Sequence, residues 1–271
     1  MMLSVVTICF NAGEEITTTI ESLKNQEMCN NMLVEHIIID NMSEDNSQSI
    51  IDKYKKDYES KQFRILYIRE KDQGIYDAMN KGVKASSGEW VIMMNAGDTF
   101  YNSQTLKTAW SFLLKENADV LVGSYDRVDP AGERIIMPPS VELIKKRMIY
   151  CHQAVFFRTS VHKNFLYNLR YHIVADYDVL LRLYLGGYVV RYIPICIATY
   201  DATGLSANRM VETHREMQIV RRNNGVIEKG LYDKMIYIYG LVKRIVLAII
   251  PTKLRWNLVR IKNTLFEKRY L

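Results

Sequence analysis

Asp98 closes the stretch EWVIMMNAGD, where an apolar run gives way to Asn95, Ala96 and Gly97. A carboxylate at such a break is an oxygen ligand of the kind Mg²⁺ or Mn²⁺ prefers, and either ion accepts water and substrate phosphate in the rest of its shell. Other acids stand at similar breaks: Asp40 ends VEHIIID, Asp72 and Asp77 flank Gly74 in DQGIYDAMNKG, and Asp176 and Asp178 open VADYDVLLRL. An ionised carboxylate only accepts hydrogen bonds, so its natural partners are hydroxyl and imide groups of a ligand. In TICFN, Thr7, Phe10 and Asn11 stand where an apolar stretch opens into a helical one. Backbone N–H groups and the helix dipole at that point favour a phosphate or a polar base edge. His152 and Gln153 open CHQAVFF, and the four cysteines (Cys9, Cys29, Cys151, Cys196) form no CxxC pair. That spacing excludes a zinc knuckle or a dithiol redox centre, and the thiols read as buried and reduced.

The elements that must position these residues alternate along the first half. LSVVTIC, VEHIIID, FRILYI, EWVIMMN and DVLVGSY are β-branched, apolar runs of strand length. Between them, AGEEITTTIESLKNQ, SEDNSQSIIDKYKKDYES, IYDAMNKGVKAS and SQTLKTAWSFLLKEN carry helical spacing, with Ser43 as a capping residue. Continuous apolar strands alternating with helices predict an α/β fold with a mostly parallel sheet covered on both faces. Ligands of such sheets bind outside the carboxyl ends of the strands, which gathers TICFN, IIIDN, YIREKDQG and MMNAGD along one rim. The second half is less regular: CHQAVFFRTSV reads as a strand, VADYDVLLRLYLGG as a helix, YVVRYIP as a strand, and GLSANRMVETHREMQIVRRNNG as a loop leading into a helix.

With 271 residues, 48% of them hydrophobic, the chain can bury a substantial core. Its net charge of +6 is unevenly placed: residues 231–271 hold nine Lys/Arg and two Asp/Glu, whereas residues 1–230 hold 27 and 28. The basic character belongs to the C-terminal tail, which argues against nucleic acid as a partner of the main domain. The N-terminus lacks the basic region and long apolar core of a signal peptide. The stretch MIYIYGLVKRIVLAII carries Lys243 and Arg244 at its centre and is not a spanning segment.

Four pieces taken in order, SVVTICFNAGEEITTTIESLKNQ, EHIIIDNMSEDNS, EKDQGIYDAMNKGVKASSGEWVIMMNAGD, and CHQAVFFR with VADYDVLLRL, give a resemblance to the family 2 nucleotide-sugar glycosyltransferases, covering residues 3 to about 205. The resemblance implies a GT-A (Rossmann-like) fold over residues 1–230, with a sugar-donor half to about residue 125 and an acceptor half over 126–230. The 231–271 tail, beyond the reach of the resemblance, reads from its own residues as a helical C-terminal extension, two helices separated by Pro251. The resemblance implies an inverting transfer of a sugar from a nucleoside diphosphate, most simply UDP, to a hydroxyl of a glycan in surface polysaccharide biosynthesis. Thr7, Phe10 and Asn11 would hold base and ribose, with Asp40 against the base. Asp72, Gly74, Asp77 and Asn80 would meet sugar, ribose or diphosphate. Asp98 would bind Mn²⁺ or Mg²⁺, and Asn95 beside Ala96 would offer its amide oxygen to that metal or a bond to a ribose hydroxyl. Asp176 would be the general base, while Asp178, two residues on, would be structural and pair with Arg182.

Three departures from the family pattern stand out. Asn95-Ala96-Gly97-Asp98 replaces a strand end that relatives often write D-x-D-D, Met79 replaces an Arg that relatives place before the Asn of the third helix, and Ala175 replaces a Glu before the base. Lys81, or cations of the later loop such as Arg209 and Arg215, would then meet the diphosphate, and His152 with Gln153 the acceptor or leaving phosphate. The tail repeats Leu254, Leu258, Ile261 and Leu265 among basic residues, with Trp256 beside them. Such a pattern suits the cytoplasmic membrane surface and a lipid-linked acceptor, or packing against the catalytic domain or a second subunit. Two rival readings are a nucleotidyltransferase, disfavoured by the acidic CFNAGEE loop, and a GT-A module that binds nucleotide-sugar or partners without turnover.

Overall fold

The computed structural model describes residues 1–58, 62–129, 132–201, 209–226 and 238. Apart from position 238, the basic tail expected over 231–271 lies outside the described residues, as do residues 202–208.

The first half folds as its alternation predicts. Strands β1 (Met2–Cys9), β2 (Leu33–Asp40), β3 (Phe63–Arg69) and β4 (Trp90–Met93) are separated by helices α1 (Gly13–Lys24), α2 (Ser47–Tyr58) and α3 (Ile75–Ala85). All three pairings among these strands are parallel, in the order β3-β2-β1-β4. Alternation across the sheet divides the core in two. Leu3, Val5, Ile38, Trp90 and Ile92 join α1, α2 and α4 (Thr105–Lys115) on one face. Val6, Ile37, Ile39, Val91 and Met93 join α3 and α6 (Ala175–Leu185) on the other. Helix α3 lies close enough to β1 that a Cβ built on Gly82 would stand 2.2 Å from Val6 Cγ1.

The second half adds β5 (Thr99–Phe100), β6 (Val120–Asp129), β7 (Gly132–Ile136), β8 (Val155–Arg158), helix α5 (Thr159–Asn164), β9 (Val190–Asp201) and a last helix, α7 (Met210–Asn223). Here the parallel expectation holds for β6 with β9, while β8 runs antiparallel to both β4 and β6, and β5–β9 and β6–β7 are antiparallel as well. The CHQAVFFRTSV stretch is only partly strand: His152–Ala154 make a 3₁₀ turn, Val155–Arg158 are extended, and Thr159 opens α5. Because β8 opposes β4, with Trp90 facing Arg158 and Ile92 facing Phe156, the start of β8 meets the end of β4. Among the described residues no helix is long and apolar enough to cross a membrane. The four cysteines are free thiols.

Candidate active site

The rim is built by register. Cys9, Asp40 and Arg69 lie level across β1, β2 and β3, so three strands end together and their following loops meet. Asn11 takes a left-handed backbone (φ 47°), its N–H donates to Ser43 Oγ at 2.9 Å, and its Oδ1 accepts from the Glu44 N–H at 2.9 Å. The first N–H groups of α1 are satisfied by the neighbouring loop, Ala12 by Ser47 Oγ and Gly13 by Asp45 Oδ2 at 3.1 Å. The Asp45 carboxylate thus accepts one N–H of this helix terminus. Hydrogen bonds from the Ser47 hydroxyl and N–H hold its pKa below the ordinary value. Phe10 projects from the same loop, 59% exposed.

Three sequence-predicted contacts turn inward. Asp40 is fully buried; it accepts from the Ser43 hydroxyl and N–H and from Tyr67 Oη at 2.7 Å, with Arg69 Nε at 3.5 Å. Four donor groups of the protein surround this carboxylate, so in this structure it braces the rim rather than facing a ligand. Thr7 is likewise buried, its Oγ1 at 2.8 Å from His36 Nε2 within the sheet face. Asn80 sits on the inner side of α3, where Nδ2 donates to the Tyr167 carbonyl at 2.9 Å and Oδ1 accepts the Tyr167 N–H at 2.8 Å. Both halves of the Asn80 amide thus bond the Tyr167 backbone in the interior.

At the mouth of α3, Gly74 has φ 120° and nothing within 4 Å of a Cβ position, so its requirement is conformational. Asp72 Oδ1 accepts the Gly74 N–H at 2.8 Å and Asp77 Oδ2 accepts the Gln73 N–H at 3.0 Å. Burial raises the Asp72 pKa above its ordinary value. Lys81 Nζ donates to the Lys71 carbonyl at 2.6 Å and lies 3.3 Å from Glu70 and 3.7 Å from Asp77. The cation expected to serve the diphosphate is thus engaged on the protein itself.

The end of β4 is held by α1. Thr19 Oγ1 lies 3.1 Å from the Asn95 carbonyl and 2.9 Å from that of Asp98, which share its one proton, and accepts the Gly97 N–H at 2.9 Å. Gly97 supplies the positive φ of 95° that the turn needs. Asp98, nearly buried, accepts from Gln153 Nε2 at 2.8 Å, and Cys151 Sγ donates in turn to Gln153 Oε1. Burial pushes the Cys151 thiol well up, which leaves it a packing and hydrogen-bonding group rather than a nucleophile. The Asn95 Nδ2 group is 3.0 Å from His152 Nε2, and Asn95 Oδ1 is enclosed without a hydrogen-bond partner.

Asp176 lies opposite, in the first turn of α6, with 7% of its surface exposed. Its Oδ1 accepts the Tyr177 N–H at 2.9 Å and has Tyr76 Oη at 3.4 Å, while its Oδ2 is 3.4 Å from His152 Nδ1. Tyr150 Oη donates to its carbonyl. Burial first, and then the Asp176 charge, push the Tyr76 and Tyr150 phenols far above their ordinary value, so both remain protonated donors. The residues leading into α6 are fixed by Glu216 of α7, whose carboxylate accepts the N–H groups of His172 (2.7 Å), Ile173 (2.7 Å) and Val174 (2.9 Å). Asp178 is buried and pairs with Arg182 Nε at 2.8 Å, the structural role its spacing predicts. Arg209 and Arg215 stand exposed at the start and on the surface of α7.

Sequence reasoning missed Thr19 and Glu216. Thr19 carries a weak signal, since Ile16, Thr19, Ile20 and Leu23 share one helical stripe and all are buried. Glu216 carries none, because its three partners lie more than 40 positions away.

Residues 4–172, more than half of the chain, match the model of Glycosyl transferase family 2. A PGL/p-HBAD biosynthesis glycosyltransferase of Mycobacterium bovis is 29% identical over 216 residues, covering 78% of this chain and 81% of its own length. The poly(ribitol-phosphate) beta-N-acetylglucosaminyltransferase TarS of Staphylococcus aureus is 27% identical over 169 residues, which cover 60% of this chain and 29% of TarS. Among solved structures, TarS 1–349 in complex with UDP-GlcNAc superposes with a TM-score of 0.63 at 18% identity, covering 81% of this chain and 65% of that one. The mannosyltransferase PcManGT of Pyrobaculum calidifontis, in complex with GDP-Man and Mn²⁺, gives 0.63 at 13% identity, covering 88% and 68%. These likenesses give the GT-A fold, and the chain belongs to glycosyl transferase family 2, a family of glycosyltransferase enzymes.

Proposed function

We propose that this glycosyltransferase moves a sugar from a nucleoside diphosphate, UDP-linked in the simplest case, to a glycan hydroxyl with inversion at the anomeric carbon. The observation that carries this reading is Asp176: a carboxylate at the rim faced by Tyr76 of α3 and by His152, with its Oδ2 turned toward the loop that also carries Gln153, the partner of Asp98. In the proposed reaction the acceptor oxygen attacks the anomeric carbon from the face opposite the diphosphate. Its proton passes to Asp176 as the bond to the diphosphate breaks. Phe10 and Asn11 would meet base and ribose, and Asp72, Gly74, Asp77, Asn95 and Ala96 the ribose and sugar hydroxyls. Arg209 and Arg215 would approach the diphosphate. Asp40, Thr7 and Asn80 would serve by bracing the loops around it.

Asp98 fits a divalent cation as a hard oxygen ligand, aimed by Gln153. Among the described residues no group of three or more His, Cys, Asp and Glu gathers into a metal cluster, so such an ion would complete its shell with diphosphate oxygens and water. Bound there, it would screen the charge of the departing diphosphate. A UDP-GlcNAc complex and a Mn²⁺ complex among the fold's neighbours support the chemistry of sugar donor and metal. The poly(ribitol-phosphate) and PGL relatives support a surface-glycan acceptor. The basic tail fits attachment to the cytoplasmic face of an anionic membrane carrying a lipid-linked acceptor, or contact with a second subunit. A panel of nucleotide sugars tested by thermal shift with Mn²⁺ checks the reading, since a bound ligand raises apparent stability by mass action. No shift with any UDP-sugar would overturn the UDP assignment.

A further inference from the structure

We infer that His152 is a positioning residue for the base, a bridge through which Asn95 at the end of β4 orients the Asp176 carboxylate. The inference rests on Asp176 being the base, as proposed above, but its geometry stands on its own. One ring nitrogen of His152 faces each partner: Nε2 is 3.0 Å from Asn95 Nδ2 and Nδ1 is 3.4 Å from Asp176 Oδ2. In the bridge we infer, the Asn95 NH₂ donates to His152 Nε2, and the neutral imidazole then carries its ring proton on Nδ1. Nδ1 is the ring nitrogen on the Asp176 side. The 3.4 Å separation is long for a hydrogen bond, as such contacts often are before substrate tightens a site.

The remaining contacts of Asp176 show what the bridge adds. Oδ1 is fixed by the Tyr177 N–H and neighboured by the Tyr76 hydroxyl. Oδ2 is the oxygen left to face an acceptor, and His152 is the side chain that sets its direction. The same residue reads the position of the strand end that leads to Asp98, because Asn95 and Asp98 belong to one turn closed by the Asp98 N–H to Asn95 carbonyl bond at 3.0 Å. Metal-side strand and base are thereby coupled through one imidazole.

Two substitutions separate the halves of the bridge. His152→Asn keeps an N–H group near the position of Nδ1, and His152→Gln keeps a polar group near the position of Nε2. With UDP-N-acetylglucosamine and Mn²⁺ as probe, kcat for UDP release should stay within about 3-fold of wild type for His152→Asn. It should fall about 10- to 100-fold for His152→Gln and His152→Ala, the scale of a lost hydrogen bond to a charged group. Affinity for the nucleotide sugar by calorimetry should move less than about 2-fold in all three. Equal losses in the Asn and Gln variants, or a loss of affinity matching the loss of kcat, would overturn the bridge.

The second measurement needs no turnover. In the full chain labelled with ¹⁵N-histidine, above neutral pH, His152 should show protonated Nδ1 and bare Nε2, and the double variant Asn95→Ala/Asp176→Ala should return it to the mixture of a free imidazole. A protonated Nε2 in the wild type would refute the inference. If Asp176→Asn retained turnover while this tautomer was observed, the base assignment alone would fall. If wild-type chain released no UDP from this probe, the tautomer would decide the inference by itself.

Discussion

Gln153 Nε2 donates to Asp98 Oδ2 at 2.8 Å across 55 positions of sequence, so the carboxylate proposed for the metal is aimed by a residue from the other half of the fold. Gln153 follows His152 directly, and adjacent residues of one short turn therefore serve the two proposed working carboxylates. Gln153→Ala should leave Asp98 in place but undirected. The Mn²⁺ concentration for half-maximal UDP-GlcNAc binding should rise about 10-fold, in line with about 1.5–3 kcal/mol for a hydrogen bond to a charged group. Metal titration by calorimetry checks this.

Asp176→Asn should abolish transfer while leaving binding of the nucleotide sugar within about 2-fold. General-base removal costs about 10²–10⁴ in rate, and the amide keeps the shape of the carboxylate. Steady-state UDP release beside calorimetry of UDP-GlcNAc binding separates the two effects.

Thr19→Val should destabilise the fold, since one hydroxyl serves Asn95, Gly97 and Asp98. Leaving those groups unsatisfied costs about 1–3 kcal/mol, a fall in Tm of about 2–10 °C for a domain of this size. Thr19→Ser should restore most of it in a thermal melt.

Gly82→Ala should also destabilise, although alanine is the better helix former by about 1 kcal/mol. The new Cβ would stand 2.2 Å from the stiff side chain of Val6 in the buried face between α3 and β1. Overpacking of that kind costs about 1–3 kcal/mol, so the two effects nearly balance at the low end and strain wins above it. Denaturant midpoints for this variant and for Gly82→Ala/Val6→Ala, which makes room, should differ with the double variant the less strained.

Stability should fall with acidification in two overlapping windows. Burial holds His36 at about 3, below its ordinary 6.5. The unfolded chain therefore binds the extra proton first, and stability drops as pH falls from about 6.5 toward 3. Burial works against ionisation of Glu35, yet hydrogen bonds from Ser4, Ser87 and Arg64 outweigh it and hold the carboxyl at about 2. Its contribution is complete above an unfolded pKa of about 4.5 and is lost as pH falls toward 2. Urea midpoints against pH should flatten above pH about 5 in His36→Gln, and in the more acidic window in Glu35→Gln.

The frame of this site was legible because it follows from local rules. Apolar runs ending on Asp40 and Asn95, glycines at the positive-φ positions 74 and 97, and helical spacing in between were enough to gather the loops on one rim. Side-chain direction was not legible. Asp40 and Asn80 look in the sequence like any rim acid or helix amide, but Ser43, Tyr67 and Arg69 surround the one and the Tyr167 backbone engages the other. The antiparallel strand β8 was hidden for a related reason: its residues read as a buried strand, but strand direction depends on a neighbour more than 60 positions earlier.

That reversed strand also sets which lengths of chain the enzyme tolerates. Because β4 and β8 are hydrogen-bonded neighbours in one continuous sheet, the separation between Asn95 and His152 comes in steps of one residue, about 3.3 Å each. An insertion between Cys151 and Val155 would carry His152 and Gln153 past both partners at once. The same insertion between Met137 and Ser140, outside the strands, would change nothing at the rim. Where this chain can be lengthened is therefore decided by strand pairing as much as by chemistry.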